Sequence, residues 1–307
     1  MVVCEVGKVI KHLRKQAGMT IEDLVDDKMN SSTLSRIENG KTIPQKSTLK
    51  SLFEKLGINP NSLATVFVND KFAEIQKLTD SLDNHLARRN TTEAGRIITE
   101  LEKHEEFQQK KNKLNYQYLL AAKAANAVNL NEEPEIILAM IDEALIAPRK
   151  KFDEDQIAAY FLTKPDFHLL TMLAMQYYKL QQHERAVKIL YGLKKNVEDH
   201  CIDKIEKGRR YPNIIYNLTK YLCLMGQQHE EVIKLCDEGM KVCLETSYLL
   251  RLPAILFNKA YSLYELGNKA ECEQLLHDIY STCRLYGHHV EMELTKNYAT
   301  ERGIVLE

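Results

Sequence analysis

A chain of 307 residues is too long for one compact helical core and fits two or more domains. Its 44% apolar and 28% charged residues are ordinary for a globular protein, and no apolar run reaches the length of about eighteen residues that a membrane span needs. The net charge of −1 hides an asymmetry: residues 1–69 hold ten Lys or Arg against seven Asp or Glu, while the rest is slightly acidic, as suits a nucleic-acid module joined to a protein- or ligand-binding body.

Glu5 and Lys8 interrupt the first ten residues, and no small-residue cleavage site follows, so no secretory leader is expected. The seven cysteines are odd in number and show no C-x-x-C spacing. That pattern predicts free, mostly buried thiols in a reducing cytoplasm. With only 12 Gly and 7 Pro, the chain is expected to be all-α.

Val6, Val9, Ile10, Leu13 and Ala17 fall on one helical face, and Gly18 ends that helix. Thr20 is placed to cap a short second helix carrying Ile21, Leu24 and Val25. Asn30 and Ser31 open a third, with Leu34 and Ile37 inward, Gly40 as its stop and Pro44 in the loop beyond. A fourth helix is expected over about 47–56 and a fifth over about 61–68. The stretch from Gly7 to Ile58, and LSRIENGKTIP from Leu34 to Pro44 above all, resembles the repressor-type helix-turn-helix of phage repressors and their bacterial relatives.

A recognition helix needs short polar side chains at its start and an outward Arg to read base edges. Ser31, Ser32, Thr33, Ser35 and Arg36 supply these, with Ser31 serving equally well as the N-cap. The resemblance puts Asn39, Lys41 and Lys46 against the phosphate backbone, although both lysines also suit a solvated surface. It also implies that Arg14 and Glu38 join the first and third helices as a partly buried, structural ion pair.

From Phe72 onward the chain reads as helices joined by short turns, with helices expected over about 71–88, 92–108, 111–129, 134–147, 165–180, 183–199, 212–225, 228–244, 250–266 and 268–285. Pro134, Pro165, Pro212 and Pro253 are read as helix starts, where a missing N–H does no harm. Residues 148–155 read as a charged loop. The second half repeats. The segments beginning at Ala174, Thr219 and Lys259 superpose as helix, tight turn at Gln181, Gly226 or Gly267, then helix, with Ala186, Val232 and Cys272 where the paired helices approach. The period of roughly forty residues is a little longer than the tetratricopeptide value, and the usual Trp is absent. The expected architecture is a helix-turn-helix domain over 1–68 and, over 69–307, a right-handed superhelix of degenerate tetratricopeptide-like hairpins for peptide binding and dimerisation. An irregular helical bundle used only for dimerisation is the alternative for the body.

That order of domains resembles the peptide-responsive quorum-sensing transcription regulators of the PlcR/PrgX/Rgg type. Residues 107–125 and 216–224 carry the closest local likeness. The resemblance implies a homodimer on a palindromic double-stranded DNA operator, controlled by a short signalling peptide bound on the concave face. Asn217 and Asn258 sit at equivalent places, each nine residues before its turn glycine, and an Asn amide can both donate to and accept from a peptide backbone. Tyr216, Lys220, Tyr261 and Tyr264 flank them, and Lys220 or Arg251 could meet a terminal carboxylate. Other readings are a peptide-independent phage- or plasmid-type repressor and a repeat protein that sequesters a partner protein. No catalytic constellation, cofactor loop or metal-ligand spacing stands out. His288 and His289 read as surface histidines, and Cys236 and Cys243 as core.

Overall fold

The structure, a computed structural model, describes residues 5–26, 29–42, 44–57, 70–108, 112–201, 203–226 and 228–306. They are helical, with no strand among the described residues and a single bridge pairing Asp26 with Met29. The chain divides into two compact units, residues 1–88 and 89–307. The boundary expected between 68 and 69, and the helix expected over 61–68, lie outside the described residues.

The first unit contains α1 (Glu5–Gln16), α2 (Ile21–Leu24), α3 (Ser31–Glu38), α4 (Lys46–Lys55) and α5 (Asp70–Ala87). Ile10, Leu24, Leu34, Ile37, Leu52 and Phe53 are its buried core. Each such side chain contributes about 1.5–3 kcal/mol when taken from water. Thr20 starts α2 with a capping box: the Asp23 amide donates to Thr20 Oγ1 at 3.2 Å, and the Thr20 amide donates to Asp23 Oδ2 at 2.6 Å. Gly7 lets α1 and α3 meet closely, since a Cβ there would lie 1.7 Å from the Ile37 carbonyl oxygen.

The second unit opens with α6 (Thr91–Leu101) and continues as antiparallel pairs. These are α7 (Lys113–Asn129) with α8 (Pro134–Ile146), α9 (Lys164–Lys179) with α10 (His183–His200), α11 (Lys204–Leu224) with α12 (His229–Thr246), and α13 (Leu252–Glu265) with α14 (Lys269–Tyr286). The last helix is α15 (His289–Thr300). Gln181, Gly226 and Gly267 all take left-handed φ values, of 62°, 65° and 82°. The backbone closes the same way at Gln181 and Gly267: the turn residue donates to the third carbonyl back, and the residue after it to the fifth. Asn131, at φ 57°, repeats this in the α7–α8 turn, a further copy that the sequence did not disclose. Ala186, Val232 and Cys272 are fully buried at the pair interfaces.

Three elements differ from expectation. Pro212 lies inside α11, which starts eight residues earlier than expected, where Asp203 Oδ1 accepts from the Glu206 amide at 2.8 Å. An interior proline costs about 3 kcal/mol, which is why it reads as a start; the burial of Tyr211, Pro212, Ile214 and Ile215 offsets that cost. Helix α6 stops at Leu101, with a short 3-10 turn over Glu105–Phe107. Helix α15 was not expected at all. Its buried face is Thr295, Tyr298 and Ala299, while Val290 and Leu294 stay exposed, so no apolar stripe marks it.

Candidate nucleic-acid interface and ligand groove

The polar face of α3 is built by its caps. Asn30, not Ser31, is the N-cap: its side chain accepts from the Thr33 amide at 2.9 Å and from Ser32 Oγ at 2.8 Å, and Ser31 is the first helical residue. An Asn one residue earlier reaches the N3 amide with the same geometry a serine would use, which explains the misplacement. At the other end, Gly40 at φ 70° donates to the Ile37 carbonyl and Lys41 donates to the Arg36 carbonyl, which fixes where Lys41 leaves the helix.

Ser32, Arg36 and Asn39 are exposed and Ser35 is half-buried, and together they form a single face at helical spacing. The Arg36 side chain makes no hydrogen bond or ion pair among the described residues, so its guanidinium is available to a ligand. Ser31 and Thr33 are half-buried beside this face, and Lys41 is exposed. Lys46 is the first residue of α4, and its side chain lies outside the described residues. Asn39 is already engaged: its amide donates to the Ser35 carbonyl at 2.8 Å, and its oxygen accepts from Lys11 at 3.0 Å. This contact brings Lys11 of α1 to the C-terminal end of α3, a cation that the sequence pattern left among ordinary surface lysines.

Arg14 and Glu38 hold α1 against α3. Arg14 Nε donates to Glu38 Oε1 at 2.6 Å and Nη2 to Oε2 at 2.9 Å, with both residues buried. Donation to the Glu38 carboxylate raises the Arg14 pKa above its ordinary value.

In the second unit, α11 and α13 line a cavity of about 600 Å³ closed on one side by α15. Tyr216, Lys220, Asn258 and Tyr261 are in its wall. So are Phe257, Leu294 and Tyr298, which the sequence reading missed because two of them belong to the unexpected α15 and the third packs on it. Tyr298 is packed edge-on to Phe257 at 5.2 Å and lies under the Arg302 guanidinium, 3.4 Å from the ring centre. Burial pushes the Cys223 thiol pKa up, and its sulfur contacts Ser262 Oγ at 3.5 Å and the Asn258 carbonyl at 3.7 Å, so this thiol is a packing group.

Several of the expected ligand residues are engaged within the protein itself. Asn258 is buried, and its amide nitrogen donates to the Tyr216 carbonyl at 3.2 Å and to Thr219 Oγ1 at 2.9 Å, tying α13 to α11. Only its carbonyl oxygen is left for a peptide N–H. Asn217 is half-buried and donates to the Asn213 carbonyl of its own helix at 2.8 Å, outside the cavity wall. Arg251 donates to Asn213 Oδ1 at 3.1 Å and stacks over Tyr216 at 5.3 Å. Tyr264 packs with Tyr298 and Arg302 behind the cavity. The equivalence of Asn217 and Asn258 in sequence therefore does not extend to their bonding, because only Asn258 faces a neighbouring first helix.

Among the described residues no group of three metal-ligating side chains occurs, and no helix is long and apolar enough to cross a membrane. The six described cysteines form no disulfide; Cys236 and Cys243 are buried, and at the start of α15 His289 is exposed while His288 is half-buried, 3.8 Å from Glu291.

Residues 7–66 match the family model of a helix-turn-helix domain. No curated protein matches the sequence. Among solved structures, Bacillus thuringiensis PlcR in complex with the peptide PapR7 and DNA is similar with a TM-score of 0.70 at 18% identity, covering 95% of this chain and 99% of that one. The Streptococcus dysgalactiae SHP pheromone receptor Rgg2 gives a TM-score of 0.63 at 12% identity over 97% and 100% of the two chains. ComR from S. thermophilus, in complex with DNA and its signalling peptide ComS, gives 0.58 at 17% over 97% and 99%. The chain thus has the fold of these proteins along nearly its whole length: a helix-turn-helix domain followed by a domain of helical repeats.

Proposed function

We propose that this protein is a DNA-binding transcription regulator whose repeat domain takes a short signalling peptide and thereby controls a DNA-bound homodimer. The observation that carries the reading is the fold shared over nearly the full length of both chains with PlcR, a protein whose structure holds both a peptide and DNA. The face of exposed Ser32 and Arg36 and half-buried Ser35, flanked by Lys11 and Lys41, suits major-groove reading with backbone anchoring at the helix end. One recognition helix of this length reads only a few base pairs, so two heads on a two-fold dimer reading an inverted repeat give a workable operator. On this reading the protein acts by binding, and the cytoplasm is where its DNA target lies.

The test is selection of bound duplexes from a random pool by the full-length chain. Enrichment of an inverted repeat supports a dimeric regulator. Recovery of unselected sequence only, with affinity set by salt alone, would overturn it.

A further inference from the structure

The cavity under α15 is not alone on this face. A second cavity of about 380 Å³ lies along the same helix, α11, toward its N-terminal end, between α9 and the turn before α13. The two are neighbours across Arg251, which donates to Asn213 in the wall of the second cavity and stacks on Tyr216 in the wall of the first. Their chemistry is opposite. The second is lined by Arg209 and Arg210, which share one carboxylate, Glu206, at 3.2 Å and 2.9 Å, beside Lys164, which has a partner of its own within the protein. Arg209 remains more than half exposed while making that contact. The first has a wall of Ala254, Phe257, Leu294 and tyrosines, and its two cations, Lys220 and Arg302, are matched by Glu291 and Glu301. One end therefore has an excess of positive charge, and the other is apolar with no net charge.

We infer that the two cavities are the ends of one groove for an extended peptide. It takes a carboxylate at the Arg209–Arg210 end and a bulky apolar side chain at the Phe257–Leu294 end. This rests on the peptide reading above and adds polarity and length to it. From Arg210 to Lys220 or Leu224 is ten to fourteen residues of α11, about 15–21 Å at the helical rise. An extended chain covers that distance in about five or six residues. Arg–carboxylate pairing is charge-assisted and directional, and an aromatic wall gains most from a large apolar side chain, so the two ends select for different groups. The carboxylate can be the peptide's own C-terminus or an Asp or Glu side chain.

The experiment uses two random heptapeptide pools, one with free C-terminal acids and one amidated, each passed over the immobilised full-length chain. Recovered peptides are sequenced. The expected result is enrichment of a carboxylate spaced five or six residues from Phe, Tyr or Leu. Recovery from the acid pool alone assigns the carboxylate to the terminus, and equal recovery of Asp- or Glu-bearing peptides from both assigns it to a side chain. Arg209→Glu should cut recovery of the carboxylate-bearing peptides about tenfold, the worth of one charge-assisted contact, and leave the apolar preference. Leu294→Glu should do the reverse. Both positions are exposed, and matched melting curves for variant and parent confirm the fold. Peptides recovered without carboxylate preference, or with a preference unmoved by Arg209→Glu, overturn the polarity and leave the peptide reading standing. Recovery of no peptide from either pool removes the peptide reading, and this inference falls with it.

Discussion

Arg14 and Glu38 face each other across α1 and α3 in a two-point ion pair, 2.6 Å and 2.9 Å, and the remaining terminal nitrogen of Arg14 donates to the Met19 carbonyl at 2.8 Å. A single guanidinium thus ties together α3, the helix α1 that packs on it and the turn leading into α2. Removing Glu38 leaves a buried cation with only the carbonyl for company. Glu38→Ala should destabilise the first unit by about 3–5 kcal/mol, visible as an earlier transition in calorimetry of the full chain. A parent-like transition would mean that water replaces Glu38 at no cost and that the pair does not hold the two helices.

Gly7 reports on the same interface from the backbone side. A methyl group at that position meets the Ile37 carbonyl at far below contact distance, so α1 must move off α3. Gly7→Ala should cost about 1–3 kcal/mol and lower DNA affinity with it, measured by thermal unfolding and fluorescence anisotropy. Unchanged affinity would separate the α1–α3 spacing from DNA reading.

Arg36 and Lys41 should fail in different ways. Arg36→Ala is expected to cost about 1–3 kcal/mol on the selected operator and to relax its base preference. Lys41→Ala should weaken all duplexes alike and flatten the dependence of affinity on salt. Gel-shift series over a set of operator variants and salt concentrations distinguish the two. Parent-like affinity and preference in Arg36→Ala would move the reading face elsewhere.

The two asparagines now call for separate treatment. Asn258 bonds α11 twice, so Asn258→Ala should lower stability by about 1–3 kcal/mol whether or not a peptide binds there. Asn217 bonds only its own helix, so Asn217→Ala should melt like the parent and is the cleaner probe. Calorimetry with a peptide recovered from the heptapeptide pools should give weaker binding for Asn258→Ala. Undiminished affinity in both variants would remove the asparagines from the site.

Much of this was legible in the sequence where local chemistry is strong. The cap at Thr20, the stop at Gly40 and the turns at Gln181, Gly226 and Gly267 are each set by a few neighbouring residues. The burial of Ile10, Leu34 and Ile37 follows from their helical spacing. What was hidden depends on partners distant in sequence. Pro212 is tolerated inside α11 because the surrounding helices bury it, and α15 forms although its buried face includes Thr295. The apolar end of the groove was therefore missing a wall, and its polarity could not be read. Repeat equivalence placed Asn217 and Asn258 alike, but only the tertiary packing decides which neighbour each amide meets.

The central claim is that peptide and DNA are bound by one chain and that the first controls the second. It is tested most directly by the affinity of the full-length protein for its selected duplex, measured with and without a saturating peptide from the heptapeptide selection. The account predicts a shift in Kd of about fivefold or more in either direction, the range of ordinary coupling between sites, and loss of that shift in Arg209→Glu at the same peptide concentration. Identical Kd values with peptide bound and absent would contradict it.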